Sequence, residues 1–141
     1  MKKLFYLILS LLYGTLLLGQ TPTVNWNNSY GGSDRDYCNY ILQTADSGYI
    51  VIGRTHSDDS EAKNYHGGED VFVVKISNTG AWQWSKCYGG SAIDQGNCIL
   101  QTSDGGYIFT GYTASTDGDI RNPLGGPDVW VVRLDDTGKI L

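Results

Sequence analysis

The sequence predicts an all-β protein made of two copies of one four-stranded antiparallel unit. Three observations point there. The segment YGGSDRDYCNYILQTADSGYIVIG returns as YGGSAIDQGNCILQTSDGGYIFTG, apolar runs rich in Ile, Val, Tyr and Trp are punctuated by Gly, Asp, Asn and Ser, and no stretch beyond the first 19 residues has helical spacing.

Residues 1–19 stand apart from this pattern. Lys2 and Lys3 precede an apolar run from Leu4 to Leu18, and Gly19 supplies a small residue before a polar stretch. That order is the grammar of a secretory signal peptide. The run is broken by Ser10 and Gly14 and is short for a bilayer span of ~20 residues. Gln20 occupies the place where a lipoprotein signal carries cysteine, so no lipid anchor is expected. The mature chain should begin at Gln20 or Thr21, with 20–25 as a short lead, and work outside the cell or on its surface with no membrane span.

The full chain has 10 basic and 15 acidic residues. Removal of Lys2 and Lys3 leaves eight against fifteen, a net charge near −7. Phosphate backbones need clustered Lys and Arg, so nucleic acid is excluded as a partner.

Trp26 aligns with Trp84, Tyr30 with Tyr88 and Gly53 with Gly111, a gapless offset of 58 residues over units 26–83 and 84–141. About half of the aligned positions are identical. In the first unit strands are expected over 37–44, 49–55, 71–76 and 81–88, bounded by turn-forming residues. ADSG and SDGG should close the first hairpin of each unit, with glycine taking the positive φ, and NTG and DTG should join the third strand to the fourth. YIVIG and VFVVKI are apolar at nearly consecutive positions, so these strands should be covered on both faces. Repeated four-stranded sheets stacked in this way are propeller blades; a β-sandwich needs no gapless repeat, and solenoid coils run to roughly half this length.

The ordered string W-x3-YGGS, D-x-GYI, G-x-T-x-S, GG-x-D-x-x-VV and TG resembles secreted bacterial β-propeller repeats of the seven-bladed-propeller-repeat type, found in long cell-surface proteins. The resemblance covers nearly all of the mature chain. It implies two propeller blades that belong to a larger β-propeller, and it implies no activity. In this grammar the fourth strand of a blade runs through the Trp that opens the next copy. Residues 26–30 are then a fourth strand without its own blade, and the fourth strand of the second blade begins at 138–141. Two blades cannot close a ring of about four or more. The chain is therefore expected to be a fragment of a longer product, or to form a homo-oligomer in which each Trp26 strand completes a neighbour's second blade.

The carboxylates recur in pairs: Asp36 and Asp94, Asp46 and Asp104, Asp59 and Asp117, Asp70 and Asp128. Two acids can run glycoside hydrolysis, but a residue present in every unit serves the unit, and Asp in turns caps its own backbone. Lys75 and Arg133 place a cation in an apolar strand; such a cation needs a partner, and Asp36 and Asp94 are the expected ones. His56 and His66 occur in the first unit only and are expected to be solvated, short of the three or four ligands of a zinc site. Cys38, Cys87 and Cys98 match no cysteine in the other unit; buried thiols are favoured over one bridge plus a free Cys. In the long loop of the second unit, Asp117 and Asp119 flank Gly118 as in the start of an oxygen-rich calcium loop, which makes them the candidate metal ligands. No other cofactor is implied.

These features point to an exported, non-enzymatic β-propeller segment that acts as an interaction or scaffolding module toward a protein or carbohydrate partner. The alternative is a fragment of a secreted carbohydrate-active hydrolase whose catalytic residues lie in further blades.

Overall fold

A computed structural model describes residues 23–141; the expected signal peptide and the first residues of the lead lie outside this range. The chain forms seven strands: β1 (Asp36–Gln43), β2 (Tyr49–Thr55), β3 (Asp70–Ile76), β4 (Trp82–Tyr88), β5 (Asp94–Gln101), β6 (Tyr107–Thr113) and β7 (Asp128–Leu134). They make two antiparallel sheets in simple up-and-down order, β1-β2-β3-β4 and β5-β6-β7. Among the described residues there is no helix, and hence none long and apolar enough to cross a membrane.

The expected strand bounds hold to within one residue, because turn chemistry marks them. Thr44 donates its amide to the Gly48 carbonyl at 2.9 Å, and Thr102 donates to Gly106 at 2.9 Å. In the second hairpin a glycine takes the positive φ as expected, Gly105 at 89°, whereas in the first it falls on Ser47 (65°), one residue before Gly48. Gly48 is needed instead for space, since a Cβ there would lie 2.5 Å from the Ile76 carbonyl oxygen. Each unit also has the same bulge, between Cys38 and Tyr40 and between Gly96 and Cys98. It presses β1 onto β2 so closely that a Cβ on Gly53 would meet the Tyr37 carbonyl oxygen at 1.8 Å.

The two sheets stack face to face. Ile50, Ile52, Val71 and Val73 of the first pack against Ile99, Tyr107, Phe109, Val132 and Leu134 of the second, with Tyr88 between them. The opposite face of the first sheet holds a smaller cluster, Phe72, Val74, Ile76 and Cys87 with Ala62, flanked by Tyr30, Tyr49 and Val51. β3 is therefore buried at all seven positions, which explains its unbroken apolar run. β7, with nearly the same sequence, has Val129 and Val131 exposed at 83% and 56%.

The second sheet has three full strands, as expected of a unit whose fourth begins only at 138–141: after β7, Ile140 bridges Leu134, at the register that Trp82 takes on Ile76. One expectation needs correction. Residues 26–30 form no strand, since no β-partner lies beside them among the described residues. Side chains fix them all the same. Trp26 packs its ring 6.2 Å from that of Tyr49, and Asn28 and Tyr30 both donate to the Gly80 carbonyl. Trp84 on Tyr107 and Tyr88 on Gly138 repeat this placement in the second unit.

Candidate functional site

The repeated carboxylates bind the chain's own backbone. Asp36 Oδ2 accepts the Gly32 amide at 2.8 Å, its Oδ1 takes the Thr55 hydroxyl at 2.5 Å, and Asp59 Oδ1 accepts the Ser33 amide at 2.7 Å. Asp94 and Asp117 do the same for Gly90 (2.8 Å) and Ser91 (2.7 Å), with the Ser115 hydroxyl bonding Asp94 at 2.7 Å. The YGGS segment is thus clamped at successive amides in both units, a use of Asp suited to tight turns.

This clamp is where the structure places the candidate metal ligands. Bonding to Ser91 lowers the Asp117 carboxyl below its ordinary range, and Asp119 Oδ2 accepts the Gly89 amide at 3.2 Å. The first-unit counterpart of Asp119 is Glu61. Among the described residues, no three of His, Cys, Asp and Glu gather so as to hold a metal ion.

The strand cations pair with different acids from those expected. Lys75, 4% exposed, donates to Asp46 Oδ2 at 2.8 Å, Gln83 Oε1 at 2.9 Å and the Ile76 carbonyl at 3.2 Å. Arg133 reaches Asp104 at 2.5 Å. The register Ile50 to Lys75 and Tyr49 to Ile76 sets Lys75 beside the first hairpin turn, away from Asp36 at the other end of β1. Lys75, with a bond from Thr44, depresses the Asp46 carboxyl to about 2.

Both histidines lie against carboxylates, while His66 stays exposed to solvent as expected and His56 is half-buried. His66 Nδ1 lies 2.6 Å from Asp70 Oδ2, which also accepts the His66 amide at 3.0 Å. His56 Nε2 lies 3.4 Å from Glu69 Oε1. Glu69 is the centre of a polar junction between the sheets: Arg54 is charge-paired with it at 2.7 Å without an aligned N–H bond, and Gln95 donates to it at 2.9 Å. The Glu69 backbone joins in, accepting the Asp94 amide at 2.5 Å and donating to Ala92 at 3.1 Å. The guanidinium of Arg54 also stacks over the Tyr37 ring at 4.6 Å.

Glu69, Arg54 and Gln95 escaped the sequence reading, although the signal was present. Each breaks the repeat, facing Pro127, Tyr112 and Tyr37 in the alignment. Asp70 and Asp94 are fully buried beside this junction and Glu69 is nearly so, so no substrate-sized ligand reaches their carboxylates. Burial pushes the Asp70 carboxyl up to about 6 against the pull of His66, and the Asp94 charge adds to the rise. Of the three thiols, only Cys87 is buried, and burial raises it to about 12; Cys38 is exposed, Cys98 is intermediate, and none is bridged. No protein-family model matches the chain, and no curated protein matches it.

Proposed function

We propose that this protein is an exported, non-enzymatic interaction or scaffolding module of β-propeller-repeat type, working at the cell surface or outside the cell. The observation that carries the reading is the use of the repeated acids: Asp36, Asp59, Asp94 and Asp117 each accept backbone amides of a YGGS turn. Acids spent in that way hold a scaffold together and leave the surface to make contacts. The stacking of two meandering sheets through apolar faces supports blades as the architecture, and the order Lys2, Lys3, apolar run, Gly19 supports export. The partner is a protein or a carbohydrate.

The test is expression of the full chain in a bacterial host, followed by fractionation, mass spectrometry and incubation with insoluble polysaccharides. Protein outside the cytoplasm that begins at Gln20 or Thr21 and releases no reducing sugar is the expected result. An intact Met1 on exported protein would overturn the export step, and catalytic sugar release would favour the hydrolase.

A further inference from the structure

We infer that the cleft between the two units, where the β1-β2 and β5-β6 hairpin turns lie side by side, is a binding site for an uncharged saccharide unit of a glycan. This deepens the proposed reading by committing the module's partner to carbohydrate, and it rests on that reading for the absence of sugar hydrolysis.

The two turns are tied together. The Ala45 amide donates to Gln101 Oε1 at 2.8 Å, and the Gln101 side-chain nitrogen donates to the Gly105 carbonyl at 3.3 Å. The cleft between them has a volume of about 460 Å³, inside the ~300–1,000 Å³ of small-molecule sites. The first unit lines it with Asp46, Lys75, Gln83 and Trp84, and the second with Tyr107 and Asp136.

These groups are fixed from behind and free in front. Lys75 spends its ammonium on Asp46 Oδ2 (2.8 Å), Gln83 Oε1 (2.9 Å) and the Ile76 carbonyl (3.2 Å). An ammonium only donates, so the Gln83 oxygen must face Lys75 and its N–H groups are left to the cleft. Tyr107 is 3% exposed, with the Trp84 ring edge-on at 6.0 Å, yet among the described residues its hydroxyl has no hydrogen-bond partner. Tyr30 and Tyr88 by contrast donate to the Gly80 and Gly138 carbonyls. Buried hydroxyls are normally satisfied, so the Tyr107 O–H calls for a partner that enters the cleft it borders. Burial, and then the charges of Asp46 and Asp136, raise this phenol above its ordinary range, which keeps it a donor. The Asp136 carboxylate likewise accepts no bond among the described residues, although the adjacent Asp135 accepts from Thr137 and Lys139.

This set of groups matches a sugar. A pyranose has an apolar C–H face, for which the half-buried Trp84 supplies an aromatic surface, and a rim of hydroxyls that both donate and accept. Gln83 and Tyr107 donate to such a rim and Asp136 accepts from it. An anion would meet two carboxylates, and a cation would meet these two donors and the Lys75 ammonium. Gln83 and Asp136 also break the repeat, facing Leu141 and Asn78 in the alignment, as residues that serve a ligand and not the unit would do.

For the experiment, the full chain is purified from whichever cell fraction holds it and titrated calorimetrically with cellotetraose, mannotetraose and N-acetylchitotetraose, beside an oligogalacturonide and tetralysine as charged arms. Saturable binding of a neutral tetraose is expected, with a change in tryptophan fluorescence. Tyr107→Phe removes an oxygen that bonds nothing among the described residues, so thermal unfolding should stay in place while affinity falls about five- to tenfold. Asp136→Asn should weaken binding by a similar factor, about five- to tenfold, and Tyr40→Phe, at an exposed tyrosine of β1, should leave it unchanged. A folded parent chain that binds none of the tetraoses, or binds them no better than Tyr107→Phe, would overturn the site and leave export and the module reading standing. Tighter binding of either charged arm would overturn the choice of an uncharged sugar. Shortened tetraoses in the recovered ligand would instead remove the non-enzymatic reading and keep the site.

Discussion

Asp70 and Asp94 meet at Gly89, across the junction of the two sheets. A Cβ on that glycine would lie 2.5 Å from Asp94 Oδ2 and 3.2 Å from Asp70 Oδ1. Both side chains are fully buried, and the Oδ1 of each accepts no protein hydrogen bond. Burial raises the Asp70 carboxyl to about 6, and the charge of Asp94 nearby adds to the rise.

The pH dependence follows from the burial of Asp70. The folded-state value of Asp70 is raised from 3.8 to about 6, so its contribution to stability is complete below the unfolded value and is lost as pH rises through about 6. Urea unfolding of the parent chain should show stability falling by about 2–3 kcal/mol from this group across that window. Asp70→Asn carries no titrating proton and should flatten the slope. Parallel profiles for the two proteins would remove this account.

Lys75 and Arg133 are repeat equivalents with unequal surroundings. Lys75 is buried and donates to three oxygens, whereas Arg133 and Asp104 are 45% and 60% exposed. Lys75→Ala should cost about 1–3 kcal/mol, because Gln83 and Asp46 lose a charged donor. Arg133→Ala should cost less than about 1 kcal/mol. Because Asp46 is depressed to about 2, the Lys75 pair should persist above the ordinary carboxylate range and weaken as pH falls toward 2; denaturant midpoints measured between pH 2 and 7 check both statements.

Gly53→Ala should be among the most damaging single changes. Its new methyl would have to displace the Tyr37 carbonyl, 1.8 Å away, and with it the bulge that sets the register of β1 on β2. A loss of about 3 kcal/mol or more is expected in thermal or urea unfolding. A loss under about 1 kcal/mol would show that the bulge yields.

Asp117→Ala should loosen the second YGGS turn, visible as faster hydrogen exchange at the Ser91 amide that it now holds at 2.7 Å. Calorimetric titration with calcium on the parent chain and Asp119→Ala reads a separate property of the same loop. A heat present in the first and lost in the second would assign these carboxylates a cation, and identical featureless titrations would withdraw it.

The strands, their turns and the doubling of the unit were legible in the residues themselves. Hydrophobic period, β-branched content and turn residues act over a few positions, so YIVIG and VFVVKI announce buried strands wherever they are placed. The partners of charged groups were not legible. Asp46 is 29 residues from Lys75 and becomes its neighbour only through the β2–β3 register, while Asp36, equally plausible in one dimension, is carried to the far end of the sheet. Glu69 gathers Arg54, His56 and Gln95 only because β3 and β5 meet at the sheet junction. Local sequence thus determined which segments pair with their neighbours and where they turn. Tertiary packing decided which acids are buried, which cations they meet and which apolar faces stay open, because those depend on how one sheet is set against the other.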